Sequence, residues 1–302
     1  MSRYQACTDR ARLGTDYHSP GGARVHYPMV RRPGASVAGR VRNGNRGCFM
    51  TARPRVIAIV PVLDEEAKIG NVVRRIPRDV VERVLVVDDG SRDRSREVAE
   101  AEGAEVLALG QTKGVGAAIR HGYETAVRDG FDVAVVLAGN DKDFPEEIPL
   151  LLEPIAKGKA VLVQGSRYLA GRAEYGQMPL YRRVATRLHP LLMSVVAGRR
   201  FTDSTNGFRA VTTGLLRDHR LGLDSSELDE YGLEPHLLFM TTRLGYPVVE
   251  VPVQKVYPPR HLGQTKMKPV TGWWSILRPL VSALVWRPWR AAVRMSGEVE
   301  PA

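Results

Sequence analysis

The chain has 302 residues, of which 43% are hydrophobic and 25% are charged, and this ordinary globular composition excludes a collagenous or disulfide-scaffold chain. The net charge of +11 is concentrated at one end, because residues 1–53 contain ten Arg, no Lys and two Asp and so carry +8 of it. This segment lacks the pattern of a folded domain. The excess charge therefore gives little support to nucleic-acid binding, and we expect no nucleic-acid partner.

The segment 1–53 is rich in Gly, Arg and Pro without helical or strand periodicity, so we predict a disordered basic tail. Met50 directly precedes the first strong strand and is an alternative start of the native protein; the other interpretation is a basic arm that contacts anionic lipid. Both cysteines, Cys7 and Cys48, lie in the tail, so no disulfide or cysteine metal site is expected after it. We find no signal-peptide pattern and no apolar run long enough to span a membrane.

From residue 54 onward, strand and helix patterns alternate along the chain. The predicted strands are Arg55–Val62, Arg83–Val87, Ala104–Leu109, Val133–Ala138 and Ala160–Gln164. The predicted helices between them are Glu65–Ile76, Arg92–Ala101, Gly114–Arg128 and Glu146–Ile155. This alternation predicts an α/β fold with a mostly parallel, Rossmann-like sheet and helices on both faces.

The alternation becomes less regular after Gly165. The pattern predicts an amphipathic helix over Pro179–Val196, a polar loop around Asp203–Arg209, a helix over Leu233–Leu244, a strand over Val248–Val253 and a basic loop over Pro258–Lys268. We therefore expect one main domain over 54–268 and a separate amphipathic segment over 269–302.

Polar residues follow four predicted strands at their carboxyl ends, where open parallel sheets bind ligands. They are Asp64 and Glu65, Asp88–Ser91, Asn140–Asp143, and Ser166 with Arg167. The usual glycine-rich phosphate motifs are absent. Lys113 lies next to a predicted helix N-terminus, where it could face a diphosphate. The neighbouring Gly114 and Gly116 are equally explained by a tight turn at the start of the helix. Asp141 and Asp143 offer the oxygen ligands that Mg²⁺ or Mn²⁺ prefers, or they cap the next helix.

An ordered set of motifs resembles the family 2 glycosyltransferases of the GT-A fold, nearest to the dolichol-phosphate and polyprenyl-phosphate sugar synthases. The matching segments are I-V-P-V-L-D-E-E, V-V-D-D-G-S-R-D-R-S, K-G-V-G-A-A-I-R-H-G, G-S-R-Y-L, D-S-T-N-G-F-R-A, G-Y-P-V-V-E-V-P-V and G-Q-T-K-M-K. They run in the family's order from about Val56 to Lys268. The resemblance implies a GT-A fold with a C-terminal acceptor-side extension, and inverting transfer of a sugar from a UDP- or GDP-linked donor.

The resemblance also implies roles for individual residues. The nucleoside would be held by Pro61, Leu63, Glu65, Asp88 and Asp89, with Lys113 nearby. The donor sugar and the acceptor would be lined by Arg167, Asp203, Asn206 and Arg209, and phosphate would be gripped in the closed state by Arg260, Thr265 and Lys266. The family's two metal-binding aspartates correspond to Ala138 and Asn140, so we predict that Asn140 with Asp141 or Asp143 binds Mg²⁺ or Mn²⁺ in a shifted geometry. Such a metal, with Lys113, Arg260 and Lys266, would stabilise the departing diphosphate.

The acceptor decides whether the reaction needs a general base. A polyprenyl phosphate is already an anion and needs none, whereas a hydroxyl group of a polysaccharide or natural product does. Glu234 and Asp203 are the candidates, and we place both in the catalytic set with Arg167 and Arg209; alternatively, Glu234 is only an acid at a helix N-terminus. Because positions 138 and 140 lack the aspartates, a third hypothesis is a module that binds nucleotide sugars without turnover.

The C-terminal segment indicates contact with a membrane. Trp residues stand at both ends of the apolar run Trp273–Trp286, which is typical of an interfacial element; the alternative is a terminal helix packed on the core or on a second subunit. Together with a lipid-linked acceptor, this pattern predicts a peripheral protein at the cytoplasmic, inner face of the membrane, working in cell-envelope assembly.

Overall fold

The computed structural model describes residues 53–169, 178, 180–257, 274 and 276–278. The predicted tail, except Arg53, therefore lies outside the described residues, as do Arg260, Thr265, Lys266 and most of the segment 269–302. The strands are β1 (Val56–Val62), β2 (Arg83–Asp88), β3 (Glu105–Ala108), β4 (Val133–Val136), β5 (Leu162–Ser166), β6 (Arg209–Thr212) and β7 (Val248–Pro252). The α-helices are α1 (Glu66–Arg75), α2 (Ser95–Ala101), α3 (Val115–Arg128), α4 (Ile148–Ala156), α5 (Leu180–Ala197), α6 (Thr213–Leu216) and α7 (Leu233–Arg243).

The strands form one mixed sheet in the order β3-β2-β1-β4-β6-β5-β7. The pairs β1/β2, β1/β4, β2/β3 and β5/β7 are parallel, and only β6 runs against its two neighbours among the described strands. The predicted α/β class with a mostly parallel sheet flanked by helices is confirmed.

Strand β6 was not predicted, and its direction matters for the site. Arg209 pairs with Val136 at the end of β4 and with Gln164 near the end of β5. Because β6 is antiparallel to both, its amino end meets their carboxyl ends. Residues 203–208, which belong to the polar loop predicted around Asp203–Arg209, are thereby brought to the same edge of the sheet as the loops after β1, β2, β4 and β5.

The central strands are buried on both faces, which explains their continuous apolar sequence. On β1, Ile57 and Ile59 pack into the core on one side of the sheet, while Ala58 and Val60 pack into the core on the other side, and none of the four is exposed. Two cores therefore hold the sheet from both faces and leave its carboxyl edge to the polar loops.

Candidate active site

The turns after β1 and β2 are fastened to each other by hydrogen bonds. The backbone N–H of Asp64 donates to Ser91 Oγ at 2.9 Å, and the N–H of Arg92 donates to Asp64 Oδ1 at 2.8 Å. The buried carboxylate of Asp88 accepts from the N–H of Ser91 at 3.1 Å and pairs with Arg96 Nε at 3.0 Å. These bonds fix the two turns predicted to hold a nucleoside.

Asp89 connects the same turn to the loop before α3. Its carboxylate accepts from the N–H groups of Lys113 at 2.7 Å and Gly114 at 3.0 Å. Burial raises the pKa of the Asp89 carboxyl, and these two donors offset the rise only in part. The side chain of Lys113 itself stays exposed beside this turn.

The loop that contains Asp229 and Glu230 caps the N-terminus of α3 with its backbone carbonyl groups. The N–H of Gly116 donates to the carbonyl of Glu230 at 2.8 Å, and the N–H of Ala117 donates to that of Asp229 at 3.0 Å. A Cβ on Gly116 would lie 1.9 Å from the carbonyl oxygen of Leu228, so only glycine fits here. These N–H groups are already used, and a diphosphate at this helix end would find them occupied.

The loop after β4 carries the residues predicted to bind a metal. Asp141, at a positive φ of 55°, accepts from Asn71 Nδ2 at 2.7 Å and from Arg75 NH1 at 3.0 Å. Asp143 is buried and accepts from Lys255 Nζ at 2.6 Å. In contrast, Asn140 Oδ1 is buried without a hydrogen-bond partner.

This donor set fits a divalent cation poorly. Asp141 and Asp143 are each ion-paired with a cationic side chain, the side chain of Ala138 has no ligating atom, and the open acceptor Asn140 is a neutral amide. Within the described part of the chain, no group of three or more His, Cys, Asp or Glu side chains is arranged to hold a metal ion. Ligation by Asp141 and Asp143 would require breaking two ion pairs, and it stays a prediction.

Arg167 and Asp203 form a buried ion pair at the end of β5. Arg167 Nε and NH2 donate to the two oxygens of Asp203 at 2.6 and 2.8 Å, and NH1 donates to Tyr257 OH at 2.6 Å. Although burial by itself raises the pKa of the Asp203 carboxyl, the charge of Arg167 and the backbone N–H donors of Arg167 and Thr205 bring it below its usual value. Both oxygens of the Asp203 carboxylate therefore already accept hydrogen bonds, so this arrangement does not favour Asp203 as a general base.

Arg209 is completely buried at the start of β6. It donates to the carbonyl oxygen of Glu234 at 2.7 Å and to that of Asn206 at 2.8 Å. Its NH2 also lies 3.5 Å from Glu234 Oε1, a buried oxygen that forms no hydrogen bond. Glu234 therefore keeps the acceptor capacity that Asp203 has lost.

The predicted residues come together in two groups along one edge of the sheet. At β1, β2 and the loop before α3 lie Pro61, Leu63, Glu65, Asp88, Asp89 and Lys113. Around the ends of β4 and β5 and the start of β6 lie Asn140, Asp141, Asp143, Arg167, Asp203, Asn206, Arg209 and Glu234. Their individual roles stay predictions.

Three basic residues at this edge were not predicted as site residues. Lys255, just after β7, joins Asp143 to Asn206 Oδ1, which it contacts at 2.9 Å. Lys142 lies in the loop after β4, and Arg182 lies on α5 with its Nε buried and unbonded. A lysine between two aspartates was the available signal for Lys142, whereas the amphipathic pattern of α5 does not single out Arg182.

Comparison with known proteins agrees with this geometry. The sequence profile described as Glycosyl transferase family 2 matches residues 57–219, which is more than half of the chain. The chain belongs to this family. The protein is therefore a glycosyltransferase, and the predicted family and enzyme class are confirmed.

Two curated relatives of this family 2 member are similar over most of their length. Undecaprenyl-phosphate mannosyltransferase of Micrococcus luteus is 34% identical over 220 residues, which cover 70% of this chain and 87% of that protein. Polyprenol monophosphomannose synthase of Mycolicibacterium smegmatis is 30% identical over 241 residues, which cover 77% of this chain and 89% of that protein.

A solved structure supports the GT-A fold. It is glucosyl-3-phosphoglycerate synthase from Mycobacterium tuberculosis in complex with Mn²⁺, uridine diphosphate and phosphoglyceric acid, with a TM-score of 0.55 and 21% identity over 76% of this chain and 77% of that chain. At this identity, the likeness shows the fold alone.

Proposed function

We propose that this glycosyltransferase moves a sugar from a UDP- or GDP-sugar to a polyprenyl phosphate, with inversion at the anomeric carbon. The observation that carries the proposal is the distribution of charge at the carboxyl edge. Asp203 is neutralised by Arg167, whereas Lys142 and Arg182 form no ion pair with any described residue. An anionic acceptor needs cations to bind it and no general base. The names of the two relatives point to the same acceptor class.

In this reaction, an oxygen of the acceptor phosphate bonds to the anomeric carbon while the bond from that carbon to the diphosphate breaks. We assign the nucleoside to the turns that contain Glu65 and Asp89. Arg209 has no exposed surface, so its proposed task is to hold Asn206 and Glu234 in place without touching substrate. Cations of the site would stabilise the negative charge that develops on the departing diphosphate.

A hydroxyl acceptor is the second candidate, and one observation favours it. Glu234 Oε1 is buried without a hydrogen-bond partner, so this carboxylate could accept a proton from a hydroxyl group. Glu234→Gln separates the two candidates, because it should abolish transfer to a hydroxyl group and leave transfer to a phosphate largely intact.

The proposal includes a test of the predicted Mg²⁺ or Mn²⁺ requirement. The M. tuberculosis synthase crystallised with Mn²⁺ and uridine diphosphate supports a divalent cation for the fold, while the ion pairs of Asp141 and Asp143 argue against those two ligands here. Transfer should therefore be measured both with Mn²⁺ and with a chelator.

Contact with a membrane surface is a further part of the proposal, and α5 supports it. One face of this helix exposes apolar side chains three or four residues apart, each 40–75% exposed: Leu180, Val184, Leu188, Leu191, Leu192 and Val195. No helix among the described residues is both long and apolar enough to cross a membrane. Changing Val184 and Leu188 to Ser should reduce flotation with anionic vesicles, whereas Leu150→Ser, an isolated exposed leucine on α4, should not.

The full chain incubated with a panel of UDP- and GDP-sugars tests the proposed reaction. Release of nucleoside diphosphate should require polyprenyl phosphate, and the best donor identifies the sugar. Release of nucleoside diphosphate only with saccharide hydroxyl acceptors would favour the second candidate, a hydroxyl acceptor. Binding of a nucleotide sugar without any release would refute the proposal and favour a binding module.

A further inference from the structure

Glu250, a partly buried residue in the middle of β7, binds the chain segment between α5 and β6. Its Oε1 accepts hydrogen bonds from the N–H groups of Thr202 and Asp203, at 3.0 and 2.9 Å, and from Thr202 Oγ1 at 2.9 Å. Its Oε2 accepts from the N–H of Thr202 at 2.9 Å. One carboxylate therefore holds the start of the loop 202–206, which leads into β6.

The residue opposite Glu250 on β5 holds the other end of this loop. Gln164 pairs with Glu250 in the parallel register of β5 and β7. The side-chain amide of Gln164 is buried, and its Nε2 donates to the carbonyl oxygen of Asn206 at 2.8 Å. The loop 202–206 is therefore fastened at its start and at its end to two neighbouring strands, at the carboxyl end of β5.

A chain of hydroxyl groups extends the effect of Glu250 to the turn after β5. Because the Thr202 hydroxyl donates its only proton to Glu250, Ser166 Oγ is the donor in the 2.6 Å contact between Ser166 and Thr202. Ser166 Oγ in turn accepts from the N–H groups of Tyr168 at 3.2 Å and Leu169 at 3.1 Å. Glu250 is therefore the final acceptor of a network that orders both this loop and this turn.

A carboxylate is a costly choice for a purely structural contact at this position. Burial and the negative charge of Asp203 raise the pKa of the Glu250 carboxyl, and the hydrogen bonds from the loop offset the rise only in part. An apolar side chain would avoid the repulsion between the two carboxylates. What the carboxylate of Glu250 adds is its pair of acceptor oxygens, which fix the loop in one position.

We propose that Glu250 is a positioning residue for sugar transfer, which sets the loop 202–206 against the turn after β5 and so places Asp203 and Arg167 beside the substrates. The inference rests on the proposed function for the assignment of this loop to the substrate site. Glu250 itself acts through the backbone of the loop. It lies outside residues 57–219, which match the family profile, and the sequence pattern predicted it only as part of a strand.

The test compares kcat with nucleotide binding in the full chain. Glu250→Leu removes both acceptor oxygens at similar size and should lower kcat for transfer roughly 10- to 100-fold, because a small displacement misaligns the reacting groups. Glu250→Gln keeps one acceptor oxygen, so its kcat should lie between those of the wild type and Glu250→Leu. The affinity for UDP or GDP in calorimetry should not change, since the turn of Asp89 is held by separate hydrogen bonds.

A matched control removes a carboxylate at the opposite edge of the sheet. Glu82, just before β2, accepts hydrogen bonds from Arg55 at 2.8–3.2 Å, and Glu82→Leu should reduce stability without changing kcat. Thr202→Val interrupts the hydroxyl chain and should also lower kcat. Combined with Glu250→Leu, it should lower kcat by less than the product of the two separate losses, because both side chains act in one network.

Hydrogen exchange of backbone amides, measured by mass spectrometry, gives a readout that needs no turnover. Peptides that contain Thr202 and Asp203 should exchange faster in Glu250→Leu than in the wild type, whereas peptides from β1 should not. Unchanged exchange, unchanged kcat despite faster exchange, or an equal loss of kcat in Glu82→Leu would overturn the proposal. Transfer by the wild type only to hydroxyl acceptors would instead refute the proposed function, and the same comparison of kcat then uses that acceptor.

Discussion

Replacing Asp203 by Asn is the perturbation with the clearest expected result. The wild-type carboxylate receives two side-chain hydrogen bonds from Arg167, at 2.6 and 2.8 Å, and is itself completely buried. The substitution keeps the shape but leaves the Arg167 guanidinium, only 5% exposed, without a counter-charge. Breaking one side of a buried pair costs about 3–5 kcal/mol, so the free energy of unfolding should fall by about that amount.

Urea unfolding of a double-mutant cycle measures this effect. Asp203→Asn and Arg167→Met should each be strongly destabilising, and the double variant should be less destabilised than the sum of the two, because removing both partners leaves no unpaired charge. An unchanged urea midpoint for Asp203→Asn, accompanied by lost transfer to a hydroxyl acceptor, would refute the structural interpretation and restore Asp203 as a general base.

Three further predictions concern stability and the nucleotide turn. Gly116→Ala should lower the unfolding free energy by about 1–3 kcal/mol in urea titrations, since its methyl would clash with a backbone carbonyl, whereas Gly214→Ala meets no atom within 4 Å and should be neutral. Burial lowers the pKa of His189 to about 4, whereas in the unfolded chain the pKa of this histidine is near its ordinary value of 6.5. Stability should therefore decrease as the pH falls from 6.5 to 4, by about 3 kcal/mol in all, and His189→Gln should remove that part of the pH dependence in urea titrations at each pH. Asp89→Ala leaves two backbone N–H groups without their acceptor, so the free energy of unfolding should fall by about 1–3 kcal/mol. The same variant should bind nucleoside diphosphate more weakly in calorimetry, and unchanged binding would contradict a place for Asp89 in the nucleotide site.

Those strands of the sheet that are buried on both faces could be predicted, because their local sequence is continuously apolar. The runs Val56–Val62 and Val133–Val136 are apolar because both faces of these strands are covered, and such runs are visible without a structure. Strand β6 is different, because Arg209–Thr212 is only four residues long and begins with a charged side chain. Its insertion between β4 and β5 is decided by pairing with residues far away in sequence, and no local pattern encodes that.

The candidate site was predictable in its location but not in its contacts. The strand ends placed Asp88 and the carboxylates after β4 at one edge of the sheet, as the structure has them. Which charges neutralise one another depends on three-dimensional packing: Asp203 meets Arg167 from 36 residues away, and Asp143 meets Lys255 from 112 residues away. For this reason Asp203 looked like a free base in the sequence, and Lys142, which forms no ion pair with any described residue, was not recognised as part of the site.

The most direct test of the proposed function is to identify the product of a single turnover. The full chain should be mixed with a radiolabelled form of its best nucleotide sugar and with polyprenyl phosphate, and the lipid product analysed by mass spectrometry and by NMR of the anomeric centre. The predicted result is one sugar joined to the lipid phosphate with anomeric configuration opposite to that of the donor. A product with retained configuration, or label found only on a hydroxyl acceptor or in free sugar, would contradict the proposal.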